Sequence, residues 1–223
     1  MKKGFTLAEV LITLAIIGVV AALTIPSLIT NYRKHIVVSR LQKFYSVMNQ
    51  ALQRYYTDEG ISPNGYRFDN WGNNDYDLNW YKSTIGKYIQ TLSAEKEGTR
   101  YIKVTFNDGS GFFSYIAYWH TMYIFYCAEI NKNCKPNKMD GRNSFLFELN
   151  NGKLYTSLST MQDSSREALL ENCKYGNHDN IEVSSPDKRH ACARLIQVDG
   201  WQIKDDYPWK QTILEPKNQI NLE

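Results

Sequence analysis

The chain has 223 residues, enough for one domain together with a long additional helix. Its 26 lysines and arginines nearly balance its 23 aspartates and glutamates, and the net charge of +3 argues against a general nucleic-acid-binding surface. Tyrosine is abundant, with 16 residues, and its side chain suits half-buried interfaces as well as β-rich cores.

The chain begins with a short basic leader, Met1 to Gly4, and continues with an almost uninterrupted apolar run over residues 5–29. As a helix this run would extend roughly 38 Å, which is long enough to cross a bilayer core. Gly18 and Pro26 are its two weak points. Because proline lacks a backbone donor, Pro26 predicts a kink or a locally melted turn.

Glu9 is the one charge inside the apolar run. A carboxylate at this depth in lipid is costly unless a positive group pairs with it, so Glu9 points to a specific role. The run is too long for an ordinary secretory signal, whose apolar core has about 7–15 residues. An ordinary signal, a plain anchor, and a protonated or interfacial Glu9 remain as alternatives.

The N-terminus resembles the cleavage and methylation motif of type IV pilins and of type II secretion pseudopilins, through Lys3-Gly4-Phe5-Thr6-Leu7-Ala8-Glu9-Val10-Leu11-Ile12. The resemblance implies that a membrane peptidase cuts between Gly4 and Phe5 and that Phe5 is then N-methylated. It also implies that Glu9 pairs with the N-terminal amine of a neighbouring subunit. Pro26 matches the helix-breaking proline of the family, and the resemblance fades beyond about residue 30.

We expect an α+β, pilin-like fold: a long N-terminal helix with a membrane-spanning first half, packed on an antiparallel sheet with disulfide-braced loops and a short C-terminal helix. The residues themselves predict the helix and the sheet, and the resemblance implies the same form. We expect a leader at 1–4, a transmembrane and assembly helix at 5–29, an amphipathic half of the same helix at 30–59, and a globular head at 60–223.

The sequence after Pro26 supports this layout independently. Apolar residues recur at helical spacing, with Gly60 and Pro63 ending the pattern. The predicted buried stripe consists of Val37, Leu41, Phe44 or Tyr45, Met48, Leu52 and Tyr55.

The head shows strand and turn signals rather than a repeat. A short helix is predicted over 80–89, and strands over 100–107, 112–119, 122–130, 144–149 and 153–157. Ser164 and Glu167 form a predicted capping box that opens a helix to about Cys173. Residues 190–198 suit either a short helix or a strand.

Four cysteines, Cys127, Cys134, Cys173 and Cys192, suggest two disulfides on an exported domain. Of the three pairings, we favour the sequence-local one, Cys127 with Cys134 and Cys173 with Cys192. A zinc site that uses Cys173, His178, His190 and Cys192 is the weaker alternative, because the spacing departs from common zinc motifs.

A calcium loop is a second metal candidate, with oxygen ligands from Glu129, Asn131, Asn133 and Asp140. Cys134 stands where such a loop needs a turn glycine, and two lysines within it oppose a cation. We therefore expect no metal and no other cofactor.

We find no catalytic motif, and we expect a structural protein rather than an enzyme. The expected function is a subunit of a type IV pilus or type II secretion pseudopilus, polymerising through the N-terminal helix after leader cleavage. The alternative is a minor, tip-located pilin whose head binds DNA, a secreted substrate or a surface.

The expected partners are other pilin subunits, a prepilin peptidase and methyltransferase, the membrane and an inner-membrane assembly platform. The expected location is the bacterial inner membrane, crossed once with the head outside the cytoplasm, and then the filament.

Overall fold

The computed structural model describes residues 6–63, 73–117, 121–130, 134–136, 139–175 and 188–209. Over these residues the chain is α+β, with one long N-terminal helix lying against a six-stranded antiparallel sheet. Shorter helices precede the sheet and follow it. The predicted fold class is confirmed.

The long helix, α1, runs from Leu7 to Glu59 without interruption. Of the two alternatives predicted at Pro26, the locally melted turn is wrong, because helix continues on both sides of the proline, and the kink stays a prediction. Proline removes only one helical hydrogen bond. Hydroxyl groups contribute further bonds nearby: Thr24 donates to the carbonyl of Val20 and Thr30 donates to that of Pro26, each over 2.9 Å.

The C-terminal half of α1 is attached to the sheet by one buried face. Leu41 and Met48 are 0% exposed and Phe44 is 3% exposed, as the helical spacing predicts. The Phe44 ring stacks on Tyr126 with centroids 4.4 Å apart and meets Phe147 edge-on at 4.9 Å. The helix ends at Gly60, whose left-handed φ of 70° suits glycine.

The sheet is a meander in which each strand pairs with the next, in the order β1 to β6. The strands are β1 Ser93–Glu97, β2 Tyr101–Thr105, β3 Gly111–Ile116, β4 Thr121–Cys127, β5 Ser144–Asn150 and β6 Lys153–Tyr155. β1 was missing from the sequence prediction, because its sequence is mostly charged. Such charges suit an edge strand, which must discourage pairing with other chains.

The central strands are buried on both faces. On β3, Phe112 and Ile116 belong to the core beneath α1, whereas Phe113 and Tyr115 belong to a second apolar cluster on the opposite face. The second cluster also contains Met139, from the segment between β4 and β5. The head therefore has apolar packing on both faces of the sheet. The alternation of apolar and polar residues along a strand does not reveal this arrangement.

The helix α2 spans Asn74–Ser83 and is followed by a 3-10 turn, Ile85–Tyr88. This helix begins earlier than the predicted 80–89, because the side chain of Asn73 accepts hydrogen bonds from the backbone of Asp75 and Tyr76.

Two helices follow the sheet. α3 spans Arg166–Tyr175, and its first turn is capped by Ser165, which accepts from Ala168 N–H, rather than by the predicted Ser164. α4 spans Cys192–Val198 after a 3-10 turn, Lys188–Ala191, so the ambiguous segment is helical. Arg166 joins the two helices to the segment that follows them, through ion pairs with Asp199 and Asp206.

Asp77 on α2 is a carboxylic acid in the core, with an exposed fraction of 0%. Its Oδ2 accepts the main-chain N–H of Ile116 over 3.0 Å, while Oδ1 has no partner among the residues described. Burial raises the pKa of Asp77 to about 7, and the Ile116 hydrogen bond only partly opposes the rise.

The raised pKa predicts a pH dependence. The stabilising contribution of the neutral acid is complete below about pH 4, its unfolded pKa, and is lost as pH rises through about 7. Asp77→Asn should therefore raise the free energy of unfolding at pH 8 by up to about 4 kcal/mol and change it little at pH 4. Denaturant titrations of the detergent-solubilised chain at several pH values measure this difference.

Asp75→Asn is the matched control, since Asp75 lies on the same helix and forms only an exposed pair with Lys96. A pH dependence that is the same in the Asp77 variant and the unmodified chain would contradict the prediction.

Candidate assembly site and the basic groove

The N-terminus of α1 is a capping box formed by Thr6 and Glu9. Oε2 of Glu9 accepts from the Thr6 backbone N–H over 2.8 Å and from its hydroxyl over 2.9 Å. Thr6 Oγ1 in turn accepts from Glu9 N–H over 3.3 Å. Thr6-x-x-Glu9 ahead of an apolar run is the sequence signature of such a box, and the sequence analysis missed it.

The box leaves half of the Glu9 carboxylate available. No residue that the structure describes donates a hydrogen bond to Oε1 of Glu9, and the whole side chain is exposed. Gly4 and Phe5, the predicted cleavage and methylation residues, lie outside the described residues. The geometry thus places one occupied and one open carboxylate oxygen at the beginning of the helix.

The first half of α1 is an unburied apolar surface. Leu7 is 80% exposed and Leu23 is 75% exposed, and large apolar side chains project on every side between them. The helix is long and apolar enough to cross a membrane by length and composition. Beside Gly18 the helix surface is uncovered, because an added Cβ would meet no atom within 4 Å outside the backbone of its own helix. A surface this apolar requires lipid or other helices around it.

Two disulfides brace the head, Cys127 with Cys134 and Cys173 with Cys192. This is the pairing favoured from the sequence. The first closes the loop after β4, and the second joins α3 to the beginning of α4. Gly141 fits closely against the second: an added Cβ would lie 2.7 Å from Cys192 Sγ, and its φ of 65° also disfavours larger residues.

The residues proposed for calcium have other roles where they are described. Oδ1 of Asp140 accepts the backbone N–H groups of Arg142, Asn143 and Ser144, which forms a tight turn. The main chain of Glu129 exchanges two hydrogen bonds with the Asn143 amide. Asn131 and Asn133 lie outside the described residues, as does His178 of the zinc alternative.

Within the described part of the chain, no three acidic, histidine or cysteine side chains group as a metal site. Cys173 and Cys192, two of the proposed zinc ligands, are joined in a disulfide.

A groove with a cavity volume of about 340 Å³ runs along the flank of the C-terminal half of α1. We call it the basic groove, because three cations line it against one acid. Its lining residues are Arg40, Lys43, Phe44, Val47, Gln50, Arg54, Tyr88, Gln90, Phe106, Asn107, Asp108 and Ser110.

Arg40 and Lys43 fasten α1 to the turn between β2 and β3. Arg40 donates to the carbonyls of Ala128 and Asp108, each over 2.7 Å, and Lys43 pairs with the Asp108 carboxylate over 2.8 Å. Burial acts to raise the pKa of Asp108, but hydrogen bonds from Lys43 and Ser110 outweigh it and lower the pKa to about 2. Asp108 therefore stays ionised throughout the physiological range.

A family of unknown function (DUF6613) matches residues 27–211, and the prokaryotic N-terminal methylation motif matches residues 1–25. No solved structure matches the chain significantly.

Three curated relatives are fimbrial or pilin proteins. Fimbrial protein EcpC of Eikenella corrodens is 26% identical over 102 residues, covering 44% of this chain and 58% of the relative. Type IV major pilin protein PilE of Neisseria gonorrhoeae is 30% identical over 43% of this chain and 52% of the relative. PilE1 of the same species is 32% identical, over 42% and 40%. The matches thus span about half the length of these relatives.

The Arg40 contacts predict a large and specific effect on stability. Arg40→Met would leave two main-chain carbonyls without their charged donor and should lower the free energy of unfolding by about 1.5–3 kcal/mol. Lys43→Met is the matched control: its side chain is 63% exposed, so it should cost at most about 1 kcal/mol. The denaturant midpoints of the two variants measure the difference, provided that their unfolding free energies depend equally steeply on denaturant concentration. Equal losses would contradict the assigned role of Arg40.

Proposed function

The chain belongs to the family of unknown function (DUF6613) and carries a pilin-type methylation motif ahead of it, and from this we propose that it is a structural subunit of a pilus. The observation that carries the proposal is that this motif leads directly into an exposed apolar helix. The first turn of that helix contains an acid, Glu9, that forms a capping box with Thr6. The curated relatives are named as fimbrial and major pilin proteins, which favours a pilus over a secretion pseudopilus.

The subunit first resides in the inner membrane and then enters the filament. The apolar half of α1 spans the bilayer once, with the head outside the cytoplasm. A prepilin peptidase removes residues 1–4 and methylates Phe5, and an assembly platform in the same membrane extracts the mature subunit. In the filament, apolar halves of neighbouring helices replace lipid around one another, because each leaves its side chains uncovered.

Glu9 sets the register between neighbouring helices. Its Oε2 is held by Thr6 of the same chain, which fixes the carboxylate at the beginning of the helix. Its Oε1 is open to the amine of Phe5 from a staggered neighbour. An ammonium and a carboxylate that meet in this apolar environment neutralise each other, and removing one partner is costly because it strands the other charge. Cleavage matters because the uncut amine lies beyond Lys2 and Lys3.

Processing predicts a defined mature N-terminus. Mass spectrometry of the polypeptide from its native membrane should find Phe5 first, carrying one additional methyl group. A Gly4→Val variant should retain its leader, because a branched side chain would obstruct the close approach that glycine allows at the cut. A native polypeptide that begins at Met1 would overturn the processing step.

The register role predicts that charge, rather than capping, controls assembly. Glu9→Gln keeps a side-chain acceptor for Thr6 but removes the charge, and it should reduce sheared filaments by more than about ten-fold. Thr6→Val removes the hydroxyl and keeps the charge, so it should cost only about 1 kcal/mol of helix capping and leave most filaments. Immunoblots of sheared and membrane fractions measure both pools.

Equal amounts of each variant in the membrane are the control for insertion and turnover. Wild-type filament yield from the Glu9→Gln chain would contradict the ion pair. A Thr6→Val yield as low as that of Glu9→Gln would assign Glu9 to capping instead.

A further inference from the structure

We propose that the basic groove receives an acidic surface from a neighbouring copy of this chain, so that the heads join edge to edge. This inference rests on the proposed function, since it requires copies arranged side by side.

The groove retains positive charge after its internal contacts are made. Lys43 is matched by Asp108, and Arg40 is directed at two uncharged carbonyls. Arg54 is exposed and forms no ion pair or hydrogen bond with any residue in the described ranges. One turn beyond it, Asp58 accepts from the Tyr88 hydroxyl. The groove is thus a recess with two cations in excess, open along the flank of α1.

The acidic surface lies on and beside α3. It consists of Asp163, Glu167, Glu171 and Asp205, all of them exposed. Glu167 and Glu171 are four residues apart on a helix, so they project from one face. Asp163 and Glu167 have no ion pair or hydrogen bond with other described residues, whereas the nearby Arg166 is occupied by Asp199 and Asp206. Asp163 and Glu167 therefore present exposed carboxylates that can pair with cations of a recess in another molecule.

The two surfaces occupy opposite edges of the head. The groove lies beside β2 and β3, where the turn at Asp108 meets α1. α3 packs on α4, which packs on β5 near the other edge of the sheet. The ring of Tyr45, on the far side of the buried stripe of α1, contacts Trp201 of the segment that Arg166 fastens to α3.

Because the two patches lie on opposite edges, they cannot pair with each other within one chain. A two-fold contact through one patch would place that patch against its own copy, and the two complementary patches would not meet. The two patches instead generate a head-to-tail contact, which repeats along an open helix when the rotation does not close. Charge complementarity then supplies the direction of the contact, and like charges discourage the reversed arrangement. The second copy is the partner that this arrangement fits.

A charge exchange tests the contact in the full chain. Arg54→Glu and Glu167→Lys should each lower the yield of sheared filaments by about five-fold, as expected when an exposed ion pair becomes a repulsion. The two changes combined restore opposite charges and should recover most of the yield. Lys82→Glu, an exposed reversal on α2 outside both surfaces, is the matched control and should have no effect.

Cysteine cross-linking gives a second measurement that does not depend on yield. A chain with both Arg54→Cys and Glu167→Cys should form a ladder of covalent multimers within filaments under mild oxidation, while either change alone should not. The native cysteines of the described residues are already paired in disulfides, so the introduced thiols react selectively.

The outcomes separate the two proposals. Wild-type filaments with no ladder, and unchanged yields for both charge variants, would overturn the edge contact and leave the pilus function standing. A wild-type chain that never forms filaments would overturn both. Loss of yield without recovery in the combined variant would also overturn the contact, because it would assign the effect to each residue separately.

Discussion

The packing of Phe44 beneath the sheet is the contact on which the architecture depends. Its ring lies among Tyr126, Phe147 and Phe112, at the centre of the face that attaches the C-terminal half of α1 to the sheet. N-terminal to the stripe that begins at Val37, the side chains of α1 face outward, so one helix serves two environments. Arg40 and Lys43 lie beside this packing and attach the helix to Asp108 and, through Arg40, to Ala128.

The sequence predicts those parts of the molecule that are set by local pattern. Helical spacing identifies the buried stripe of α1, and Asn150-Asn151-Gly152 identifies the turn between β5 and β6. Short separations along the chain favour the disulfide pairing that the structure has. β1 escapes prediction because its charged sequence fits an edge strand and lacks apolar alternation.

The remaining features depend on groups that are distant in the chain. Arg40 meets carbonyls 68 and 88 residues away, and Asp77 meets an N–H group 39 residues away. No local pattern specifies such partners, since charged side chains on a helix are usually solvated. The absence of a melted turn at Pro26 has a different cause: losing one hydrogen bond does not melt a turn when the turns on both sides are strongly helical. For the candidate site, the sequence identifies Glu9 but not the Thr6 contacts that orient it.

The placement of the covalent braces has a mechanical consequence. The first disulfide begins at the last residue of β4, the second lies C-terminal to the sheet, and neither includes a residue of α1. No disulfide ties α1 to the sheet, so apart from the chain that continues past Gly60 the helix is held to the head by non-covalent contacts, among them the packing around Phe44 and the Arg40 hydrogen bonds. The disulfides cross-link the C-terminal half of the head, whereas no covalent cross-link holds α1 against the sheet. A stretched subunit would lengthen by separation of its helix from a head whose C-terminal half the disulfides hold together.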